Sequence, residues 1–416
     1  MMQLYKFAKI TLPVKGMNMK RDRKKRFCHA SFPSIIFGVF VISIGSLLVS
    51  SSYIHKHLAD RRMNPYVSNN KQEGNRFVNM SGIIQKTRST FQGKNIQILF
   101  INKPRWINIA KGNEYLRNKC HIKNCVMTNV ASNISQMSAI VFSAQDNLAY
   151  TSAYLKKKRP TSQVWIFLRM EPPEDRILSW YRDPAWQNTM NWSWGYRLDS
   201  DIFRPVQVLT ERNTLPQRDY DAIFKRKRKL AIWVVSHCHA KSLRDEYVNQ
   251  LIREGVHVDI FGKCSTNKSR ISRNAIHKTI NEDYKFYLSF ENNFCKDYVT
   301  EKFFTYFGLD TVLVVRGGLK YSEHFDPNAF VDTSSFSSVK SLARYMLRVS
   351  QDITLYTRYL RNKDKYDNAE PPGNSLIQSQ CILCERINSQ DQYKRNYEDI
   401  VSYIHNGTCF NPDKIV

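Results

Sequence analysis

The feature that most constrains this chain is a recurring pattern of short apolar runs separated by helix-like or irregular segments. Residues 94–102 carry Ile96, Ile98, Leu99, Phe100 and Ile101, and comparable runs stand at 139–143, 164–169, 230–236, 256–261, 286–290 and 310–315. These runs are almost continuously apolar, which is the mark of strands covered on both faces, as in parallel sheets flanked by helices. Residues 240–254 read as one such helix, with Leu243, Tyr247 and Leu251 on one face and Gly255 as its stop. At 416 residues the chain is too long for one typical core. The pattern predicts two α/β domains with an active site in the cleft between them, joined by the basic run at 225–229, which reads as an exposed connection. Residues 338–359 read as one long helix, and the remaining tail is expected to pack back across the domains.

The formal net charge of +27 invites a nucleic-acid reading, but the charge is not laid out for one. Up to Arg62 there are 12 Lys/Arg against 2 Asp/Glu, and no nucleic-acid motif of zinc-finger or RNA-recognition type is present. The 23 uncharged residues 32–54 would span roughly 34 Å as a helix, enough to cross a bilayer. The basic cluster at 20–26 places the N-terminus in the cytoplasm and everything after Ile54 on the lumenal side. A cleaved signal peptide is the rival reading, with an n-region and an apolar core longer than usual for one. Residues 55–92 are polar and without periodicity, as in a stem.

Eight of the nine cysteines follow the apolar segment, an even number suited to an oxidising compartment. Three local pairs are expected, Cys120 with Cys125, Cys238 with Cys264 and Cys381 with Cys384, leaving Cys295 and Cys409 as a long-range staple. Five N-x-Ser/Thr sequons, at Asn79, Asn133, Asn191, Asn267 and Asn406, agree with a lumenal address.

Chemistry concentrates in residues 286–304, where an apolar strand passes through a polar loop into a helix. Open α/β sheets bind ligands beyond the carboxyl ends of their strands. Here Glu291, Asn292, Asp297, Tyr298, Glu301 and Lys302 offer the groups needed to hold a sugar and a phosphate. Arg244, one turn into its helix, is a candidate bidentate fork for a phosphate. Glu171 follows a strand and precedes two prolines, a rigid position suited to a general base. The aromatic run 191–196 is a candidate sugar-stacking surface. Asp199-Ser-Asp201 either ligates Mn²⁺ or Mg²⁺ or serves as structural hydrogen-bond acceptors, and its distance from the better phosphate site favours the second. His237-Cys238-His239 and Cys381-x-x-Cys384 lack partner ligands at metal spacing.

Together these residues resemble the α-1,3-fucosyltransferases of glycosyltransferase family 10, over about residues 96–384. FYLSFEN at 286–292 with DYVTEK at 297–302 is similar to that family's central signature, supported by YRLDSD at 196–201, WVVS at 233–236, Val314-Val315 with Gly317, and the terminal CxxC. The resemblance implies a GT-B fold, in which two Rossmann-like domains face each other across a cleft behind one transmembrane helix. It implies a type II Golgi membrane protein organised as cytoplasmic tail 1–31, signal anchor 32–54, stem 55–92, acceptor-side domain 93–224, donor domain 225–372 and tail 373–416. It also implies GDP-β-L-fucose as donor, an inverting α-1,3 transfer to a GlcNAc hydroxyl of a glycoprotein glycan, with an N-glycan GlcNAc as the expected acceptor and Lewis-type antennae and LacdiNAc as alternatives, and no obligatory metal cofactor, although a divalent cation is allowed. Asn292, Tyr298, Glu301 and Lys302 would bind the donor, with Arg244 on its diphosphate and Glu171 as base. The chain departs from the family's Glu-Ser-Pro at Pro172 and from its Pro-Tyr-Gly at Val206 and Gln207. The cysteine pattern is closer to plant and invertebrate members, and a lumenal glycan-binding homologue without turnover is the alternative.

Overall fold

The computed structural model describes residues 95–130, 133–144, 148–173, 183–265, 272–368 and 374–412. The expected anchor and stem, together with Asn79 and Asn267, lie outside the described residues. Among the described residues no helix is long and apolar enough to cross a membrane.

The first sheet holds six parallel strands, β1 (Ile96–Ile101), β2 (Cys125–Thr128), β3 (Ala139–Ser143), β4 (Val164–Arg169), β5 (Trp192–Gly195) and β6 (Ile202–Phe203), in the order β2-β1-β3-β4-β5-β6. A small antiparallel pair joins β7 (Thr210–Glu211) to β13 (Tyr366–Asp367). The second sheet is also parallel, with β8 (Lys229–Val234), β9 (Val258–Phe261), β10 (Tyr284–Phe290), β11 (Val312–Arg316) and β12 (Val331–Asp332) in the order β12-β11-β10-β8-β9. Both sheets follow a doubly wound 2-1-3-4-5 order, which reverses direction between the first and third strands and opens a crevice at their carboxyl ends. In the first sheet that crevice lies between β1 and β3, and in the second between β8 and β10.

Both sheets are packed on both faces, and this explains the unbroken apolar runs. Val164, Ile166 and Leu168 of β4 face one core while Trp165 and Phe167 face the other. In β10, Phe286, Leu288 and Phe290 join one core and Tyr284 and Tyr287 the opposite one. The helices used below are α1 (Ile109–Asn118), α2 (Arg244–Arg253), α3 (Glu301–Phe307), α4 (Val339–Gln351), α5 (Ile353–Lys363) and α6 (Asn374–Asn388).

Four expectations change. The helix expected over 338–359 is two, because Asp352 adopts an extended conformation and caps α5 with its side chain on Leu355 N. Residues 225–229 are not an exposed connection throughout, since Lys227 is buried with Nζ donating to Asn281 O at 2.7 Å. The aromatic run is no sugar-stacking surface: Trp192, Trp194 and Tyr196 are buried in and just after β5, in the core under the first sheet. The fourth change concerns the disulfides. Cys238–Cys264 and Cys295–Cys409 form as expected, but the remaining four cysteines pair as Cys120–Cys381 and Cys125–Cys384. Cys381 and Cys384 sit three residues apart on α6, so both sulfurs project from one helix face toward the α1–β2 junction and not toward each other.

These two bonds fasten α6 to the opposite end of the folded chain. The first joins cysteines 261 positions apart and is worth on the order of 5 kcal/mol in the chain-entropy picture. The second closes only a short additional loop and adds mainly rigidity. Trypsin cleaves after Lys123 but not between Cys381 and Cys384, so a non-reducing digest should release one species in which two peptides carrying Cys120 and Cys125 are both held by a third carrying Cys381 and Cys384. Mass spectrometry finding the last peptide closed on itself would refute the pairing.

Candidate active site

The site begins at the carboxyl end of β10. Glu291, fully buried, follows the last strand residue and turns its carboxylate toward the start of α3. Thr300 N donates to Oε1 at 2.9 Å, the Thr300 hydroxyl donates to the same carboxylate at 2.8 Å, and Lys302 Nζ lies 3.0 Å from Oε2. Burial alone would lower the Lys302 pKa, but the charges of Glu291 and Glu301 outweigh it and hold the ammonium above its ordinary value. Thr300 is also the N-cap of α3, its hydroxyl accepting from Lys302 N, so the helix starts at Glu301. Glu301 opens the helix with an exposed carboxylate 3.2 Å from Lys302 Nζ. Burial would raise its pKa, but Lys302 and nearby hydrogen bonds hold it below the usual carboxylate range.

Between these anchors the loop 292–299 crosses to the first sheet. Asp297 adopts a left-handed backbone with φ of 61°, which aspartate tolerates better than most residues, and its carboxylate accepts from Leu198 N at 3.0 Å. That turn sends Tyr298 into the core under the first sheet, where it packs edge-on against Tyr196 with ring centroids 5.1 Å apart. The Tyr298 hydroxyl donates to Glu171 Oε2 at 3.1 Å. Burial holds this phenol well above its ordinary pKa, so it remains a proton donor at any working pH.

Glu171 is positioned by the end of β4. Arg169, buried within an otherwise apolar run, donates Nε to Glu171 O at 2.8 Å and Nη1 to Ala144 O at 2.7 Å, and also bonds Pro172 O. Pro172 therefore contributes a carbonyl to the clamp, a role that needs no serine hydroxyl. Glu171 as a whole is exposed, yet the protein around its carboxylate displaces water and raises its pKa. The Tyr298 hydrogen bond and the Lys302 charge oppose that rise, and Glu301 adds to it. The result is a carboxylate at the mouth of the first sheet, held by a phenol from the second.

The crevice between β8 and β10 holds a second set of groups. Ser242 N donates to Asn292 O at 3.2 Å, which ties the two strand-end loops together. Around this tie the Ser242 hydroxyl, Asn292 Oδ1 and Arg244 Nε are buried without a hydrogen-bond partner. Buried polar atoms are rarely left unpaired, so three at one crevice suit a polar ligand. Arg244 differs from the open phosphate fork expected of it. It is 3% exposed, and its terminal nitrogens donate to Phe290 O at 2.9 Å and His237 O at 2.7 Å, because the left-handed Leu243 before it turns the side chain inward. As placed it is a strut between the β8 and β10 loops, with its buried Nε unpartnered. Desolvation lowers its pKa.

Asp199 and Asp201 are engaged by protein donors. Asp199 pairs with Arg197 and with Lys296 at 3.2 Å; Asp201 accepts from Ser193 N at 2.8 Å and from the Tyr397 hydroxyl at 2.7 Å, and lies 3.1 Å from Arg395. Among the described residues no cluster of three or more His, Cys, Asp or Glu could hold a metal ion. Of the sequons, Asn133 and Asn406 are exposed. Asn191 is unsuited to carry a glycan, because its amide donates to Arg395 O at 3.1 Å and accepts from Trp165 N at 2.9 Å, locking β4 to β5. A cavity of about 30 Å³ beside Glu171, lined by Tyr196, Arg197 and Tyr403 among others, has room for water but not for a sugar. Arg169 and Ser242 were not singled out in the sequence; the lone arginine in an apolar strand was the signal available for the first, and nothing marked the second.

Two family descriptions match the chain: "Fucosyltransferase, N-terminal" over residues 93–207 and "Glycosyltransferase family 10 (fucosyltransferase) C-term" over residues 224–403. Among curated proteins, Alpha-(1,3)-fucosyltransferase C of Drosophila melanogaster is 32% identical over 71% of this chain and 73% of its own length. Alpha-(1,3)-fucosyltransferase fut-5 of Caenorhabditis elegans is 27% identical over 70% of this chain and 78% of its own. Glycoprotein 3-alpha-L-fucosyltransferase A of Drosophila melanogaster is 30% identical over 73% of this chain and 58% of its own. A solved structure titled as an alpha1,3-fucosyltransferase with GDP-fucose aligns at 14% identity, covering 73% of this chain and 93% of that one, with a TM-score of 0.48.

Two outcomes follow from the site's geometry. The Tyr298 hydrogen bond stabilises the ionised form of Glu171, so Tyr298→Phe should raise the pKa of that carboxylate and move the acid limb of the kcat/KM profile to higher pH. A limb that stays in place, or moves to lower pH, would show that the contact does not govern the group titrating in that limb. Lys302→Ala strands a fully buried carboxylate, and its expected penalty is about 3–5 kcal/mol in unfolding free energy. The pair Glu291→Gln with Lys302→Met should recover much of that loss in denaturant melts; equal stability of the single and double variants would deny the ion pair its structural role.

Proposed function

The chain belongs to glycosyltransferase family 10 and is a fucosyltransferase, and we propose that it moves L-fucose from GDP-β-L-fucose to a GlcNAc hydroxyl, with inversion to an α-1,3 linkage, on a glycoprotein glycan. The observation that carries this reading is the Tyr298–Glu171 hydrogen bond, which sets a carboxylate of one sheet against the ligand-binding loop of the other. An inverting transfer needs this arrangement: donor on one side of the reacting carbon, base and acceptor hydroxyl on the other.

In this mechanism the nucleotide sugar lies in the β8/β10 crevice. Ser242, Asn292 and the Arg244 Nε offer polar atoms that lack protein partners, the Glu301 carboxylate suits sugar hydroxyls, and the Lys302 ammonium faces the charge developing on the diphosphate as the glycosidic bond breaks. Tyr298 stands between donor and base. Glu171, its pKa raised, takes the proton from the acceptor hydroxyl as it attacks. A divalent cation has no assigned step, and the Asp199 and Asp201 carboxylates are already neutralised by Arg197, Lys296 and Arg395. The two-sheet architecture is read as GT-B. A type II Golgi location is read from the basic cluster at 20–26, the apolar residues 32–54, the four disulfides and the exposed Asn133 and Asn406.

Assay of the full chain in detergent with GDP-fucose and a panel of GlcNAc-containing glycans, with and without EDTA, tests the reading. Transfer that survives EDTA and yields an α-1,3 linkage is expected. Glu171→Gln should retain donor affinity while losing roughly 10²–10⁴-fold in turnover. Unchanged turnover in that variant removes Glu171 as base, and binding without transfer by the unmodified chain leaves the lectin-like homologue as the better description.

A further inference from the structure

The carboxyl rim of the first sheet carries a pair that the mechanism above does not use, Trp106 after β1 and Arg204 after β6. Trp106, in the loop between β1 and α1, is 42% exposed, while most large aromatic residues of the described chain are buried. Its position is built: Lys103 Nζ donates to Pro104 O at 3.1 Å and to Ile107 O at 2.7 Å, bracing the turn that holds the indole. The Arg204 guanidinium lies 4.5 Å over one side of the indole ring. Arg204 Nε is buried without a partner, and among the described residues no carboxylate pairs with this arginine. Burial pushes its pKa down to about 10, which still leaves it charged at neutral pH.

The hydrogen-bond register ties this pair to the base. Arg204 N donates to Gly195 O at 2.8 Å, Gly195 lies opposite Arg169 in the β4–β5 register, and Arg169 Nε holds Glu171 O. Arg204 and Glu171 therefore stand at one rim of the sheet, two strands apart, which is about 10 Å at the ~4.8 Å spacing of neighbouring strands. Trp106 reaches that same rim from the far side of the sheet's reversal point, so β4 and the base fall between β1 and β6.

An exposed aromatic face stacks on the C–H face of a pyranose, and a guanidinium with an unused N–H donates to a ring hydroxyl. The bland alternative, a stray surface tryptophan, leaves the braced turn and the unpartnered arginine unexplained. We propose that Trp106 and Arg204 form an acceptor subsite for a neutral sugar next to the GlcNAc that receives fucose, so that the enzyme reads more than one residue of its acceptor. This rests on the transferase reading above and adds to it the recognition of an extended glycan.

The test compares KM for two acceptors, a GlcNAc glycoside and an N-glycan core oligosaccharide, with the full chain in detergent. Trp106→Ala should raise KM for the oligosaccharide roughly 3- to 10-fold more than for the glycoside, Trp106→Phe should raise it less, and Arg204→Gln should act in the same direction as Trp106→Ala. KM for GDP-fucose should not move. Equal shifts for both acceptors, or none, overturn the subsite. If the unmodified chain transfers fucose to neither, the transferase reading fails separately, and saturation-transfer NMR with the oligosaccharide decides the subsite: signal lost in Trp106→Ala supports it, while signal retained in that variant, or absent from the unmodified chain, overturns it.

Discussion

A single buried carboxylate organises the site. Removing Glu291 from water costs several kcal/mol, and the fold offsets this with the backbone and hydroxyl of Thr300 and the ammonium of Lys302. Because Glu291 ends a central strand and its partners begin a helix, satisfying the charge fixes both ends of the loop between them. The neighbouring strand makes room: a Cβ at Gly317 would press on Glu291 Cγ at 3.1 Å, and one at Gly318 would strike the Cys295 backbone at 2.4 Å. Glycine at both positions is what lets the β11 loop pass so close. With its ends fixed and its middle stapled by Cys295–Cys409, the loop can carry Tyr298 across to the first sheet.

The doubly wound order of each sheet then divides the work. The crevice of the second sheet collects polar atoms that the protein does not itself satisfy, on Ser242, Asn292 and Arg244, while the rim of the first sheet carries the exposed Trp106 and the unpartnered Arg204 Nε. Glu171 lies on the first sheet but is held by the second. The two long-range disulfides to α6 brace the first sheet within the same core that receives Tyr298, and Asp201, Tyr397 and Arg395 add a hydrogen-bond network beside it.

Much of this was legible in the sequence because it rests on local chemistry. Unbroken apolar runs identify strands buried on two faces, and the passage from FYLSF through Glu291 to Thr300 shows where a strand gives way to a helix. What was not legible depends on direction. Trp192 and Trp194 have the composition of a sugar platform, but only the pairing of β5 inside the sheet shows that they point into a core. Arg244 has the chemistry of a phosphate fork, and only the left-handed turn before it reveals that both terminal nitrogens are engaged by backbone carbonyls. The cysteines of α6 could be read as a local pair, because spacing along a helix says which face they share and not what lies opposite. Asn191 satisfies a sequon while its amide is committed to the fold.

The contact between Tyr298 and Glu171 also bears on the proposed base. A phenol has one hydrogen to give, and here Glu171 receives it. While that bond holds, the carboxylate is steadied in its ionised form and its affinity for a proton is lowered. A ligand group that took the Tyr298 hydrogen for itself would withdraw that support and move the Glu171 pKa upward. The same phenol is too deeply buried to ionise, so it cannot compensate by surrendering its own proton. If Glu171 is the base, as proposed, this one hydrogen bond would link its strength to a ligand held by the loop of the opposite sheet.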